Sequence, residues 1–192
     1  MKTVIICLAC IIFILLFFNV NCEAQGSVRI TVQSGGNVSF VFNSIDKYKN
    51  GITYTNWTSF GITVEDTGVV TSYSNAWKLE FKDNNADGDG LINGSGANTL
   101  LLTTLRVTGT VNASLAAKGA VAFGPLPLTI ADQKIAEDLD IPNAAGEPVY
   151  PPDLVLITYA CGTIPCPCPP GNTLLGQIPD YYVVDIEVTL TG

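Results

Sequence analysis

The chain contains no histidine. That absence removes the imidazole base of Ser-His-Asp and Cys-His nucleophilic catalysis, and with it the commonest side-chain metal ligand. Cations are also scarce: nine Lys and Arg stand against seventeen Asp and Glu, a net charge of −8. An acidic chain with scattered basic residues has no electrostatic footprint for nucleic acid, and no basic amphipathic helix is written here to lie on a membrane. The acidity serves solubility instead. No glycine motif for cradling phosphate opens a helix, and Gly94-Ser95-Gly96 lacks the outer glycines of a nucleophile elbow. No Lys stands in a notable arrangement with Ser, and nothing nominates a carboxylate pair for glycoside hydrolysis. The expectation is a protein that is not an enzyme, with a secreted hydrolase as the most distant alternative.

What is present begins with a leader. Met1-Lys2-Thr3 runs into Val4–Phe18 without a polar side chain, and Cys22-Glu23-Ala24 supplies small residues at −3 and −1. This pattern reads as a secretory signal peptide over 1–24, cleaved after Ala24. The apolar run is shorter than the roughly 20 residues that span a bilayer. A lipid-modified cysteine fits neither Cys10 nor Cys22. The mature chain, 25–192, is then expected to be a single domain, secreted or held at the cell surface, extracellular or periplasmic, with no membrane insertion after cleavage.

Half of the six cysteines leave with that leader. Cys161, Cys166 and Cys168 remain, all within "CGTIPCPCPP". In an exported protein they suggest one short-range disulfide and one odd thiol, the pairing left open. A zinc site would want a fourth ligand.

Alternation dominates the mature chain. "SVRITVQ" sets Val28, Ile30 and Val32 on one face, and "VSFVF" sets Val38, Phe40 and Phe42 on one face after the hairpin signal "SGGN". "WKLEFK" points Trp77, Leu79 and Phe81 inward, and Tyr182, Val184, Ile186, Val188 and Leu190 do the same near the C-terminus. "LLLTTLRV" and "DLVLITYA" are denser in apolar residues and read as central strands. Only "TIADQKIAEDL" (129–139) looks helical, with Ala131, Ile135 and Leu139 at every fourth position; an irregular strand crossing is the alternative. The fold class expected is all-β: a two-sheet antiparallel immunoglobulin-like β-sandwich with at most one short helix.

"ITVQSGGNVSFVFNSIDKYKNGITYTNW" and the closing "PDYYVVDIEVTLTG" resemble small secreted all-β proteins of bacterial envelopes. The resemblance implies a sandwich fold and secretion, and it implies no activity.

Three stretches carry candidate chemistry. In "DNNADGDGLINGSG" (83–96), counting from Asn85 puts Asn85, Asp87 and Asp89 at positions 1, 3 and 5 of a calcium loop. Gly90 falls at the turn, the Leu91 carbonyl at position 7 and Asn93 at position 9. Gly96 stands where the bidentate Glu belongs, so calcium and a plain polar turn both remain open. No cofactor is required, and calcium is the one candidate ion. "VEDTGVV" (64–70) holds the Asp-Thr-Gly of aspartic proteases once, whereas that chemistry needs two carboxylates sharing a proton. "TYTNWTSF" (53–60) gathers Tyr54, Trp57 and Phe60, and Trp57 falls outside the alternation. Tyr54 and Trp57 are the candidate ligand-binding residues, suited to stacking on sugar rings.

These readings converge on a secreted or surface-displayed structural or adhesive protein acting through binding surfaces. Its expected partners are glycans or other envelope and matrix proteins, with self-association a further outcome. A carbohydrate-binding module centred on Trp57 is the alternative.

Overall fold

Strict alternation becomes strand wherever one face finds a second sheet to cover it. The computed structural model describes residues 27–65, 77–84, 88–96, 98–117, 119–138, 153–163, 174 and 177–191. The expected leader, Asn85, Asp87, Asp66-Thr67-Gly68, Cys166 and Cys168 lie outside the described residues.

The strands in chain order are β1 (Ser27–Ser34), β2 (Ile52–Glu65), β3 (Trp77–Asp83), β4 (Leu91–Gly94), β5 (Thr99–Leu101), β6 (Leu105–Val111), β7 (Val121–Ala122), β8 (Leu126–Pro127), β9 (Gln133–Asp138), β10 (Asp153–Cys161), β11 (Tyr182–Val183) and β12 (Ile186–Thr191). Two short helices, α1 (Ile45–Asn50) and α2 (Ala113–Ala117), interrupt them. One sheet runs β1-β2-β10-β6-β8 and a second β12-β3-β9-β7, while a small third, β11-β4-β5, stands apart. Every pairing is antiparallel. The fold is an all-β sandwich.

As expected, "DLVLITYA" lies in the middle of the five-stranded sheet, its core face carrying Val155, Ile157, Tyr159 and Cys161. Trp77, Leu79 and Phe81 of β3 point inward from the other sheet. Phe60, Val107 and Ile157 meet Phe81, Ile135 and Val188 across the interface, where the space left is about 10 Å³. That is a close-packed interior. Each fully buried Leu, Val or Phe side chain there contributes roughly 1.5–3 kcal/mol.

The two sides of the sandwich differ. On one, Gly109 of β6 donates to the Phe123 carbonyl (2.8 Å), and Phe123 donates to the Ile135 carbonyl of β9 (2.9 Å), so main chain ties one sheet to the other. On the opposite side β1 and β12 touch with no ladder between them. There Val28, Ile30, Ile186, Val188 and Leu190 are only partly covered.

Three expectations are corrected. Of the two readings of 129–139 the strand holds and the helix does not: residues 133–138 are strand β9, where Leu79 pairs with Ala136 and Phe81 with Gln133. Three apolar residues at every fourth position are too few to outweigh a neighbouring strand that offers ladder hydrogen bonds and a buried face for Ile135. The Thr129 hydroxyl, just ahead of the strand, donates to the Ala131 carbonyl and accepts from the Gln133 amide. Second, the described residues hold two short α-helices where at most one was expected. Ser44 accepts from the Lys47 N–H (3.4 Å), Asp46 sits in the first turn of α1, and Gly51 ends it with φ 72°. Asn112 accepts from the Leu115 N–H at the start of α2 (2.9 Å). Third, "VSFVF" is no hairpin partner of β1: residues 35–43 hold no strand, and β1 pairs with β2 instead.

Candidate functional site: an aromatic bulge on strand β2

Residues 35–43 give up a ladder because β2 draws them across its own surface. Trp57 Nε1 donates to the Asn37 carbonyl (2.7 Å), Tyr54 Oη to the Ser39 carbonyl (3.0 Å), and Thr58 Oγ1 to the Gly35 carbonyl. Three side-chain donors thus satisfy main-chain oxygens that a hairpin would have paired. Gly35 (φ 71°) is required here, since a Cβ would lie 2.1 Å from the Trp57 carbonyl oxygen.

The donors reach because β2 is bulged. Tyr54 pairs with Tyr159 and Thr58 with Ile157, so Thr55, Asn56 and Trp57 stand opposite the single residue Thr158. Asn56 takes up the excess with φ 51°, in the left-handed region that Asn tolerates better than most side chains. Its N–H is held by Thr158 Oγ1 (3.0 Å). Non-glycine residues in this region cost on the order of 1–3 kcal/mol and gather at functional sites. Bulges re-aim side chains in the same way.

What the bulge aims is an aromatic cluster. The Tyr54 and Trp57 rings lie 5.1 Å apart at 45°, and Phe40 packs on Tyr54 at 5.2 Å. Trp57 remains 43% exposed, whereas Trp77, the other tryptophan, is 3% exposed in the core. Both expected ligand-binding residues are therefore neighbours on one surface. Asn37, Ser39, Thr53, Thr55 and Asn56, all exposed, surround them with neutral polar groups. The indole N–H and the phenol are committed to main chain, which fixes the rings and leaves their faces as the contact area.

Of the calcium-loop positions, Asp89, Leu91 and Asn93 are among the described residues. Asp89 is exposed, and its carboxylate accepts from the Leu91 N–H (2.9 Å), an Asx turn leading into β4. Leu91 and Asn93 are ladder residues of β4, paired with Leu101 and Thr99. Among the described residues no group of three His, Cys, Asp or Glu side chains is placed to hold a metal ion. Cys161 is a free, buried thiol on the core face of β10, and burial pushes its pKa up to about 12.

One polar centre was not foreseen. Asp180 accepts from the Ser95 hydroxyl, Asn98 Nδ2 (2.9 Å), and the N–H groups of Gly96 (3.2 Å) and Tyr181 (2.7 Å). These donors, the Ser95 hydroxyl first, hold its carboxyl well below the usual range. The group clamps the turn between β4 and β5 onto β11, and a Cβ on Gly94 would strike its Oδ2 at 2.5 Å. No sequence signal links Asp180 to a turn 85 positions earlier. Nearby, a cleft of about 130 Å³ is lined by Leu91, Leu100, Leu101, Thr104, Leu174 and other uncharged residues. It falls short of the roughly 300 Å³ at which small-molecule sites begin.

No protein-family model matches the chain, and no curated protein matches it.

Proposed function

We propose that this protein works by binding: a secreted or surface-displayed structural or adhesive β-sandwich whose contact surface is the bulge of β2. The observation that carries the reading is Trp57, held 43% exposed by a strained backbone and by a hydrogen bond from its own indole. A sequence selected only for packing would turn that ring inward, as it does Trp77. Fixed aromatic rings lose little entropy on meeting a partner, so their apolar area converts efficiently into affinity.

The neutral polar rim favours a narrower form of the same reading, a carbohydrate-binding surface. Sugar C–H faces stack on aromatic rings, and hydroxyls want uncharged amide and hydroxyl partners such as Asn37, Thr55 and Asn56. The test uses the protein's two tryptophans. Titration with soluble glucose-, mannose- and N-acetylglucosamine-based oligosaccharides is expected to change Trp57 emission saturably. Trp57→Ala is expected to abolish the response and weaken binding about tenfold, roughly 1.4 kcal/mol, with the circular-dichroism spectrum unchanged. Retention of the wild type on cells, lost in Trp57→Ala, marks the adhesive role. A flat titration at about 10 mM saccharide, together with cell retention indifferent to Trp57, discards the proposal.

A further inference from the structure

The exposed edges of the sheets are not alike. β8 is two residues long and ends in Pro127, which has no N–H to offer; β7 and β11 are also two residues, and β5 is three. Short strands and proline are how sheets blunt their edges against further pairing. β1 has neither protection. It runs for eight residues, "SVRITVQS", without Pro, Lys or an acid, regular against β2 from Ser27 to Val32 with a register shift before Ser34, and among the described residues no strand pairs with its outer side.

The ladder phase gives the groups on that side. Asn112 donates to the Leu154 carbonyl (2.9 Å), so the even-numbered residues of β10 bond to β6 and the odd-numbered ones to β2. Carried across the register of β2, Arg29 and Thr31 bond inward to β2, and Val28, Ile30 and Val32 direct their N–H and C=O groups outward. The same three side chains lie on the core face. Val32 pairs with Phe60, which is 6% exposed, yet Val32 itself is 58% exposed. An apolar row and a row of main-chain donors and acceptors thus run out together along one edge.

We propose that this edge pairs antiparallel with β1 of a second copy, with Thr31 on the two-fold axis. The sequence is self-complementary in that register. Ile30 faces the copy's Val32, extending the apolar face across the junction; Arg29 faces Gln33; Thr31 faces itself. About four inter-strand hydrogen bonds form, two for each of the pairs that Ile30 and Val32 make with Val32 and Ile30 of the copy. Charge favours a copy here over the rest of the surface. Two molecules of net charge −8 repel, but β1 carries one charge, Arg29, and it is positive. β12, the other long edge, would bring Glu187 toward its own copy. An isologous contact of this kind closes as a dimer and merges two five-stranded sheets into one.

Sedimentation over a concentration series is expected to show a reversible dimer. Val32→Lys, a charge on the core face at the edge, is expected to weaken association at least tenfold while leaving the melting temperature of the dilute protein and the Trp57 saccharide response unchanged. Thr31→Cys reads the register: the axis places the two sulfurs at a non-hydrogen-bonded pair within disulfide range, so a covalent dimer is expected under mild oxidation. Gln33→Cys, which faces Arg29, is expected to cross-link no more than wild type. A monomer at every concentration overturns the proposal, as does equal cross-linking of the two cysteine variants.

Discussion

The closed and open sides of the sandwich solve one problem in two ways. Where β6, β7 and β9 meet, main-chain hydrogen bonds cross from sheet to sheet and the flanking strands are short. Where β1 and β12 meet, long strands approach without bonding, and their core-facing side chains stay partly uncovered. Sheet-to-sheet stitching on the first side needs a residue with no side chain. Incomplete covering on the second leaves apolar and polar edge groups available to something outside the monomer. The difference is one of burial gradient, so matched substitutions can measure it.

Leu79 and Leu190 give the largest expected contrast. They are cross-strand partners on β3 and β12, facing the same core. Leu79 is 0% exposed, and Leu190 is partly buried at the open edge. Leu79→Ala is expected to cost about 3–5 kcal/mol, lost transfer energy plus a cavity that cannot collapse. Leu190→Ala is expected to cost about 1–2 kcal/mol, because solvent already reaches the site. Urea unfolding of both variants checks this. Equal losses would mean that the open side is as well covered as the closed one.

A glycine pair sharpens the same comparison. A Cβ at Gly109 would meet the Ile135 carbonyl oxygen at 2.3 Å, and that oxygen is main chain and cannot rotate away. Gly109→Ala should therefore force the sheets apart, at about 1–3 kcal/mol. It should also speed hydrogen exchange at the Phe123 amide. Gly36, just past β1, has open space around it: a Cβ there would meet nothing within 4 Å. Gly36→Ala is expected to be neutral or to stabilise by up to about 1 kcal/mol, through the unfolded chain. A large loss at Gly36 would place unseen packing on the open side.

These contrasts also mark where the sequence was legible. β3 and β10 could be read because a period of two, carried by large apolar residues, leaves little choice once two sheets must face each other. Trp57 could be singled out because it broke such a period. The bulge itself could not, since it depends on Thr158, a residue of another strand, holding the Asn56 N–H. The misplaced hairpin has the same origin: local alternation in Val38–Phe42 lost to donors from Tyr54 and Trp57. The helical pattern at 129–139 rested on three residues, and the alternative strand reading won because β3 lay beside it. The helix at 45–50 was signalled by Ser44 and Gly51, ordinary cap residues hidden by the surrounding β pattern. Local periodicity therefore located the core, while the site was built by contacts distant in sequence.

The smallest expected effect lies at the clamp on β11. The carboxyl of Asp180 is held below its ordinary value by donated hydrogen bonds, with the Ser95 hydroxyl foremost. For a carboxyl with a lowered folded-state pKa, the linked stability is fully present above the unfolded value of about 3.9 and is lost as pH falls below it toward the folded value. Asp180 is partly exposed, so solvent screens much of the interaction. Asp180→Asn keeps the shape but offers one acceptor oxygen where the carboxylate offers two, leaving some of the donors from Ser95, Asn98, Gly96 and Tyr181 without a partner. Its melting temperature is expected to sit slightly below wild type at pH 7 and to converge with it as the pH falls through the carboxylate range, while faster exchange at the Tyr181 amide localises the change to β11. A deficit that stays constant from pH 7 to strong acid would show that the carboxylate charge contributes nothing, and that the clamp is one of shape alone.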